Sequence, residues 1–145
     1  MEWNHKILFI DDETEYLNDF ATFFRKRDFE VDTASSGEEG LEKLRTGNFE
    51  VAIVDISMPD IDGITLAKHV YDEDIDTDII ILTGYGDRND AIRAIKYGVG
   101  DWFDKGKVTK RELLNRAEDL AQLINSTILI PMHLSNILKS SLKKD

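Results

Sequence analysis

The chain contains no cysteine, so disulfides and thiolate chemistry are excluded, and a cytoplasmic setting is the expectation. It contains no apolar run near the roughly 18 residues needed to cross a bilayer, so no membrane partner is expected. The opening Met1-Glu-Trp-Asn-His-Lys6 lacks the apolar core of a signal peptide and runs straight into a strand. Positive charge is scarce: 18 Lys and Arg face 29 Asp and Glu, for a net charge of −11. So acidic a surface repels phosphate backbones, and direct nucleic-acid binding is not expected. Proline occurs only twice, as Pro59 and Pro131. What remains is an ordinary globular balance, 41% hydrophobic and 32% charged over 145 residues, enough for one well-buried domain.

The central stretch is Val51-Ala-Ile-Val-Asp55, followed by a loop carrying Met58, Pro59, Asp60, Asp62 and Gly63. An unbroken β-branched run reads as a strand buried on both faces of a parallel sheet. Asp55 then stands at its carboxyl end, the edge at which open α/β sheets bind ligands. Further strands are expected at Lys6–Ile10, at Phe29–Ala34, which alternates, at Asp78–Thr83 and, a short one, at Asp101–Asp104. Helices are expected at Thr14–Asp28, from Ser36 to Gly47, at Gly63–Asp74, at Asp87–Tyr97, and from Thr109 through Ile124. The first carries Leu17, Phe20, Ala21 and Phe24 as its core stripe; the fourth is built around Ala91, Ile92, Ala94 and Ile95. Ser36–Glu39 and Thr109–Glu112 have the spacing of capping boxes. Five strands alternating with five helices predict an α/β fold, a doubly wound five-stranded parallel sheet. Residues 126–145 fall outside that repeat. Pro131 and the stripe Leu134, Ile137, Leu138, Leu142 describe a C-terminal helical extension or linker, suited either to folding back on the domain or to dimerisation or a partner.

Asp11, Asp12, Asp55, Thr83 and Lys105 each lie just past a strand, and in a parallel sheet those ends share one edge. Three gathered carboxylates need a cation to remain ionised, and all-oxygen ligands with retained water suit Mg²⁺. A hydroxyl from Thr83 and the ammonium of Lys105 complete a site fitted to attack by Asp55 on a phosphoryl group, giving an aspartyl phosphate.

Residues 6 to about 125 resemble the receiver domain of two-component response regulators. The likeness rests on Asp11-Asp12, on Asp55 with Met58-Pro59-Asp60 and Gly63, on Thr83-Gly84 and on Lys105. It implies a flavodoxin-like (βα)₅ fold for residues 1–125, with Asp55 accepting phosphate from the phosphohistidine of a sensor histidine kinase or phosphotransfer protein. It implies Mg²⁺ bound by Asp12, Asp55 and the backbone carbonyl of Ser57, with Asp11 assisting through water. It places Trp102 at the switch-aromatic position, moving with Thr83, and sets Ser57, Met58 and Tyr85 at the rim of the site. A downstream protein or domain, or a homodimer, would read the altered face. One departure stands out: Lys105 is followed by Gly106 where the family usually has proline, so a loop that is trans, or more mobile, is expected there.

Other readings compete. A Mg²⁺-dependent phosphohydrolase with an aspartyl nucleophile usually places a second acid two residues on, where this chain has Ser57. A flavin-binding module would need a Ser/Thr/Gly-rich phosphate loop where Asp11-Asp12-Glu13 stands. A receiver-like module working without phosphorylation is a further alternative. His5, His69 and His133 have neither ligand spacing nor a triad context and read as surface residues.

Overall fold

The computed structural model describes residues 5–84 and 87–126, with side chains as far as 122. The order is β1 (Lys6–Ile10), α1 (Thr14–Arg25), β2 (Glu30–Ala34), α2 (Gly37–Thr46), β3 (Val51–Asp55), α3 (Gly63–Asp72), β4 (Asp78–Thr83), α4 (Arg88–Lys96), β5 (Asp101–Asp104) and α5 (Lys110–Ser126). All strand pairs are parallel, and the sheet order is β2-β1-β3-β4-β5. From β1 the chain first goes outward to β2, then crosses to β3 on the other side. The order in which strands are added therefore reverses between β1 and β3, which opens a crevice beyond their carboxyl ends. The expected doubly wound α/β architecture is present.

The sheet has two covered faces. Ile7, Phe9, Val51, Ile53, Ile80 and Leu82 point toward α1 and α5, where they meet Phe20, Phe24, Leu113 and Ala117. Leu8, Ile10, Ala52, Val54, Ile79 and Ile81 point the other way, toward Leu41, Leu44, Ile64 and Val70 of α2 and α3. That two-sided burial is why the central strands read as continuous apolar runs. The edge strand β2 is covered less fully and alternates, with Ala34 its one buried residue.

Local chemistry sets the boundaries. Ser36 caps α2 by accepting from the Glu39 amide at 3.2 Å, but Glu39 reaches back to the Ser35 amide rather than to that of Ser36. Thr109 and Glu112 make both bonds of the expected box. A further box, Asp87 with Asp90, opens α4, and Asp62 caps α3 through the Thr65 amide. Two helices end two or three residues before their expected bounds at Asp28 and Asp74, although each contains its whole apolar stripe. α1 stops at Arg25 and α3 at Asp72, each followed by an aspartate with positive φ, Asp28 at 67° and Asp74 at 58°. Aspartate tolerates that left-handed conformation better than most residues.

α4 departs most from expectation. Of its apolar residues only Ala94 is buried; Ile92 is 55% exposed and Ile95 76% exposed. The helix is too lightly packed on the sheet to cover a four-residue stripe. On α3, Leu66 joins the core while Tyr71 is half-buried. The tail stripe, Tyr85, Ile124 and His133 lie outside the residues whose side chains are described.

Candidate functional site

Strand alternation decides which end residues meet. Asp11 lies one place past β1, Asp55 is the last residue of β3, and Lys105 lies one place past β5, two residues after Phe103. All three therefore fall on the α1/α5 side of the sheet edge. Asp11 and Asp55 are buried, at 4% and 5% exposure, whereas Asp12 turns outward to solvent. Asp11, Asp12 and Asp55 each offer a carboxylate oxygen, and these oxygens all lie within 4.8 Å of one another.

Lys105 points into this group. Its Nζ lies 2.7 Å from Asp11 Oδ2, 2.6 Å from Glu13 Oε1 and 3.4 Å from Asp55 Oδ2. Its amide donates to the Thr83 carbonyl at 2.9 Å, fastening the β5–α5 loop to the end of β4. No peptide bond among the described residues is cis, so the Lys105-Gly106 bond is trans as expected. The loop is nonetheless well tied: Asp104 Oδ1 accepts from the Gly106 amide at 2.8 Å, and its carbonyl accepts from the amides of Lys107 and Val108.

The β3–α3 loop closes the other side. The Ser57 amide donates to Asp55 Oδ1 at 3.4 Å, leaving the Ser57 side chain exposed, while Met58 folds down into the core. Gly63 is required here by space. A Cβ at this position would collide with the Asp55 carbonyl, because α3 starts directly against the end of β3 and the Gly63 amide donates to the Ile56 carbonyl at 3.0 Å. Asp60 projects from the same loop to the start of α2, accepting from the amides of Gly37 at 3.1 Å and Glu38 at 2.7 Å. These bonds, the Glu38 amide first, hold the Asp60 carboxyl below its ordinary range.

Thr83 is buried at the end of β4, one place beyond Leu82, the residue paired with Asp55. Alternation puts it on the same face as Ile81, the residue that pairs with Trp102 of β5. Trp102 is half-buried and packs on the α2/α3 side of the sheet. Thr83 and Trp102 are therefore diagonal neighbours on one sheet face.

The electrostatics are those of a pocket short of positive charge. Burial, and then the charge of Asp11, push the Asp55 carboxyl up to about 6, although Lys105 and the Ser57 amide pull it down. For Lys105, burial favours loss of the proton, but bonds to Asp11 and Glu13 and the charges of Asp11 and Asp55 outweigh it and raise its pKa. One ammonium among four acids, Asp11, Asp12, Glu13 and Asp55, leaves excess negative charge. Three convergent carboxylates with all-oxygen chemistry fit a hard divalent cation of the Mg²⁺ kind.

Sequence reasoning brought together Asp11, Asp12, Asp55 and Lys105, and the structure does the same. It missed Glu13, noticed only as a charge that would repel phosphate, and Tyr16. The Tyr16 hydroxyl donates to the Lys105 carbonyl at 3.3 Å, and its ring centre lies 4.5 Å from Nζ. Burial pushes the Tyr16 phenol up to about 12, so it remains a donor. The position of Glu13 next to the acid pair was the available signal. His5 also differs from expectation: it is half-buried, with Nδ1 3.2 Å from Glu50.

An acidic, lysine-bearing pocket at the switch point of a β2-β1-β3-β4-β5 sheet defines a class of α/β domain, the flavodoxin-like receiver. Comparison with known proteins makes the assignment specific. Residues 7–118 match the response regulator receiver domain, and the chain belongs to that family. It is 32% identical over 114 residues to the response regulator SaeR of Staphylococcus epidermidis, covering 79% of this chain and 49% of SaeR. The chain thus spans about half the length of the curated relatives it matches. Among solved structures it resembles a CheY-like receiver domain protein from Methanospirillum hungatei, with TM-score 0.82 and 25% identity over 86% of this chain and 99% of the other. It also resembles the response regulator TrrA of Thermotoga maritima, solved in complex with Mg²⁺-BeF, with TM-score 0.72 and 29% identity over 80% of this chain and 98% of TrrA. Response regulators are signalling proteins of two-component systems.

Proposed function

We propose that residues 1–125 form a phosphorylation-dependent switch in which Asp55 is the phosphoacceptor. The observation that carries this reading is the meeting of Asp11, Asp12 and Asp55 within 4.8 Å, with the Lys105 ammonium beside Asp55. The donor is the phosphohistidine of a sensor histidine kinase or phosphotransfer protein. A carboxylate oxygen of Asp55 attacks phosphorus, the O–P bond forms, and the P–N bond breaks. The imidazole nitrogen leaves with the electron pair and takes up a proton. Mg²⁺, held by Asp12, Asp55 and the Ser57 carbonyl with Asp11 assisting through water, would offset charge on the phosphoryl oxygens when bound. Lys105 supplies a fixed positive charge, and the Thr83 hydroxyl donates to a phosphoryl oxygen. The exposed Ser57 side chain, beside Asp55, controls the access of water and so tunes the lifetime of the adduct.

The readout follows from the shared face of Thr83 and Trp102. When Thr83 moves toward the phosphoryl group, space opens for the Trp102 ring to turn inward, and the surface of α4, β5 and α5 changes shape. A downstream protein or domain, or a second copy of the chain, reads that surface, and the segment 126–145 serves as extension or linker. The setting is the cytoplasm, and no direct contact with nucleic acid is needed. The balance of charge supports the switch over a phosphohydrolase: the residue two beyond Asp55 is Ser57, which cannot serve as a carboxylic acid.

Intact mass after treatment with a small phosphodonor and Mg²⁺ tests this. One phosphate adduct is expected on the wild type and none on Asp55→Asn or without Mg²⁺. A wild type that takes no phosphate would overturn the assignment.

A further inference from the structure

Lys105 is gripped by an acid outside the metal-binding trio. Glu13 occupies the N-cap position of α1, yet its side chain makes no capping bond. It reaches across the site instead, to 2.6 Å from Lys105 Nζ, closer than Asp55 at 3.4 Å. The lysine backbone cannot follow a moving ligand, because the Lys105 amide is bound to Thr83 and its carbonyl to Tyr16. Only the ammonium is free to redistribute its bonds.

An ammonium has three donors, and Asp11, Glu13 and Asp55 claim all of them. A phosphoryl group carried by Asp55 inherits the long 3.4 Å contact, and it gains a second, short bond to the lysine only if Asp11 or Glu13 lets go. Asp11 is a poor choice: its side chain is 6% exposed, and its Oδ1 already accepts from the Glu13 amide at 2.9 Å. The Glu13 side chain is 65% exposed, so water can solvate it at once. We infer that Glu13 is a positioning residue that holds Lys105 in the resting state and competes with the phosphoryl group for it. This rests on Asp55 being the phosphoacceptor. Glu13 thereby sets how readily the site takes and keeps its anion.

Two substitutions separate grip from simple repulsion. Glu13→Gln removes the charge. Glu13→Asp keeps the charge but shortens the reach, and aspartate at an N-cap turns to its own helix amides. The probe is beryllofluoride with saturating Mg²⁺, titrated against the full chain. Binding is followed by tryptophan fluorescence and the lifetime of the phosphate adduct by intact mass, with melting temperature as the check on folding. Both variants are expected to bind the probe about two- to fivefold more tightly, the scale of a largely exposed ion pair, with a correspondingly longer adduct lifetime and an unchanged fold. Tightening in Glu13→Gln with wild-type affinity in Glu13→Asp would mean repulsion rather than grip and would overturn the inference, as would no change in either variant. A wild type that binds no beryllofluoride and takes no phosphate fails at Asp55 itself, and the role of Glu13 falls with it.

Discussion

At the scale of single residues, the consequential fact is that Asp55 is uncomfortable. Its carboxyl is pushed up to about 6 by burial and by Asp11, against an ordinary value of 3.8. The folded state thus favours the protonated form. That contribution to stability is fully present below about 3.8 and lost as pH rises through about 6. At neutral pH without a divalent cation, the ionised Asp55 therefore costs on the order of 3 kcal/mol. Asp55→Asn, neutral at every pH, is expected to be more stable than the wild type toward urea at pH 7 in the presence of a chelator. The gap should close below about pH 4. Equal midpoints at pH 7 would show that the carboxylates are better compensated than their spacing implies. Such stored repulsion is common at functional sites, where a ligand relieves it.

At the scale of elements, two connections matter. The β3–α3 loop is pinned at both ends, by Gly63 against the Asp55 carbonyl and by Asp60 on the first amides of α2. Asp60 is a cap donated by a different element, so it ties α2 to the loop bearing Ser57. Asp60→Ala is expected to lower stability by about 0.5–2 kcal/mol, the range for loss of an N-cap, measured by urea unfolding. It should also speed hydrogen exchange at the amides of Gly37 and Glu38. α4 lies at the opposite extreme. Ile92 and Ile95 are exposed, so replacing both with Ser is expected to shift stability by no more than about 0.5 kcal/mol each. By contrast, Leu44→Ala, in a side chain 1% exposed, should cost about 2–5 kcal/mol. A large loss in the α4 variant would mean that the helix packs more deeply than it does here.

At the scale of the whole molecule, the site is where the ends of four strands, β1, β3, β4 and β5, meet at one edge of the sheet with an excess of negative charge. Anything that binds the folded state and not the unfolded one stabilises it by mass action. Mg²⁺ at about a hundred times its dissociation constant should add about 2.7 kcal/mol, raising the melting temperature by roughly 5–10 °C for a domain of this size. Asp12→Ala is expected to abolish that rise while leaving the metal-free protein folded, because Asp12 is exposed and touches the core least of the three acids. An equal rise in the variant would place the ion elsewhere.

The sequence alone determined the alternation of strands and helices, the parallel sheet and the identity of the acids, Thr83 and Lys105. It could do so because continuous β-branched runs, capping residues and residues set just past strand ends are local signals. Local signals also explain why the errors fell at helix ends. The positive-φ turns at Asp28 and Asp74 end α1 and α3 without interrupting any apolar pattern. Tertiary structure alone decided the rest. Whether an apolar stripe is covered depends on what lies opposite, so α4 carried a core-like pattern and left Ile92 and Ile95 in solvent. Which acid grips Lys105 depends on distances across 92 positions of sequence, and no pattern within α1 marks Glu13 as the residue that gives up its own cap to do it.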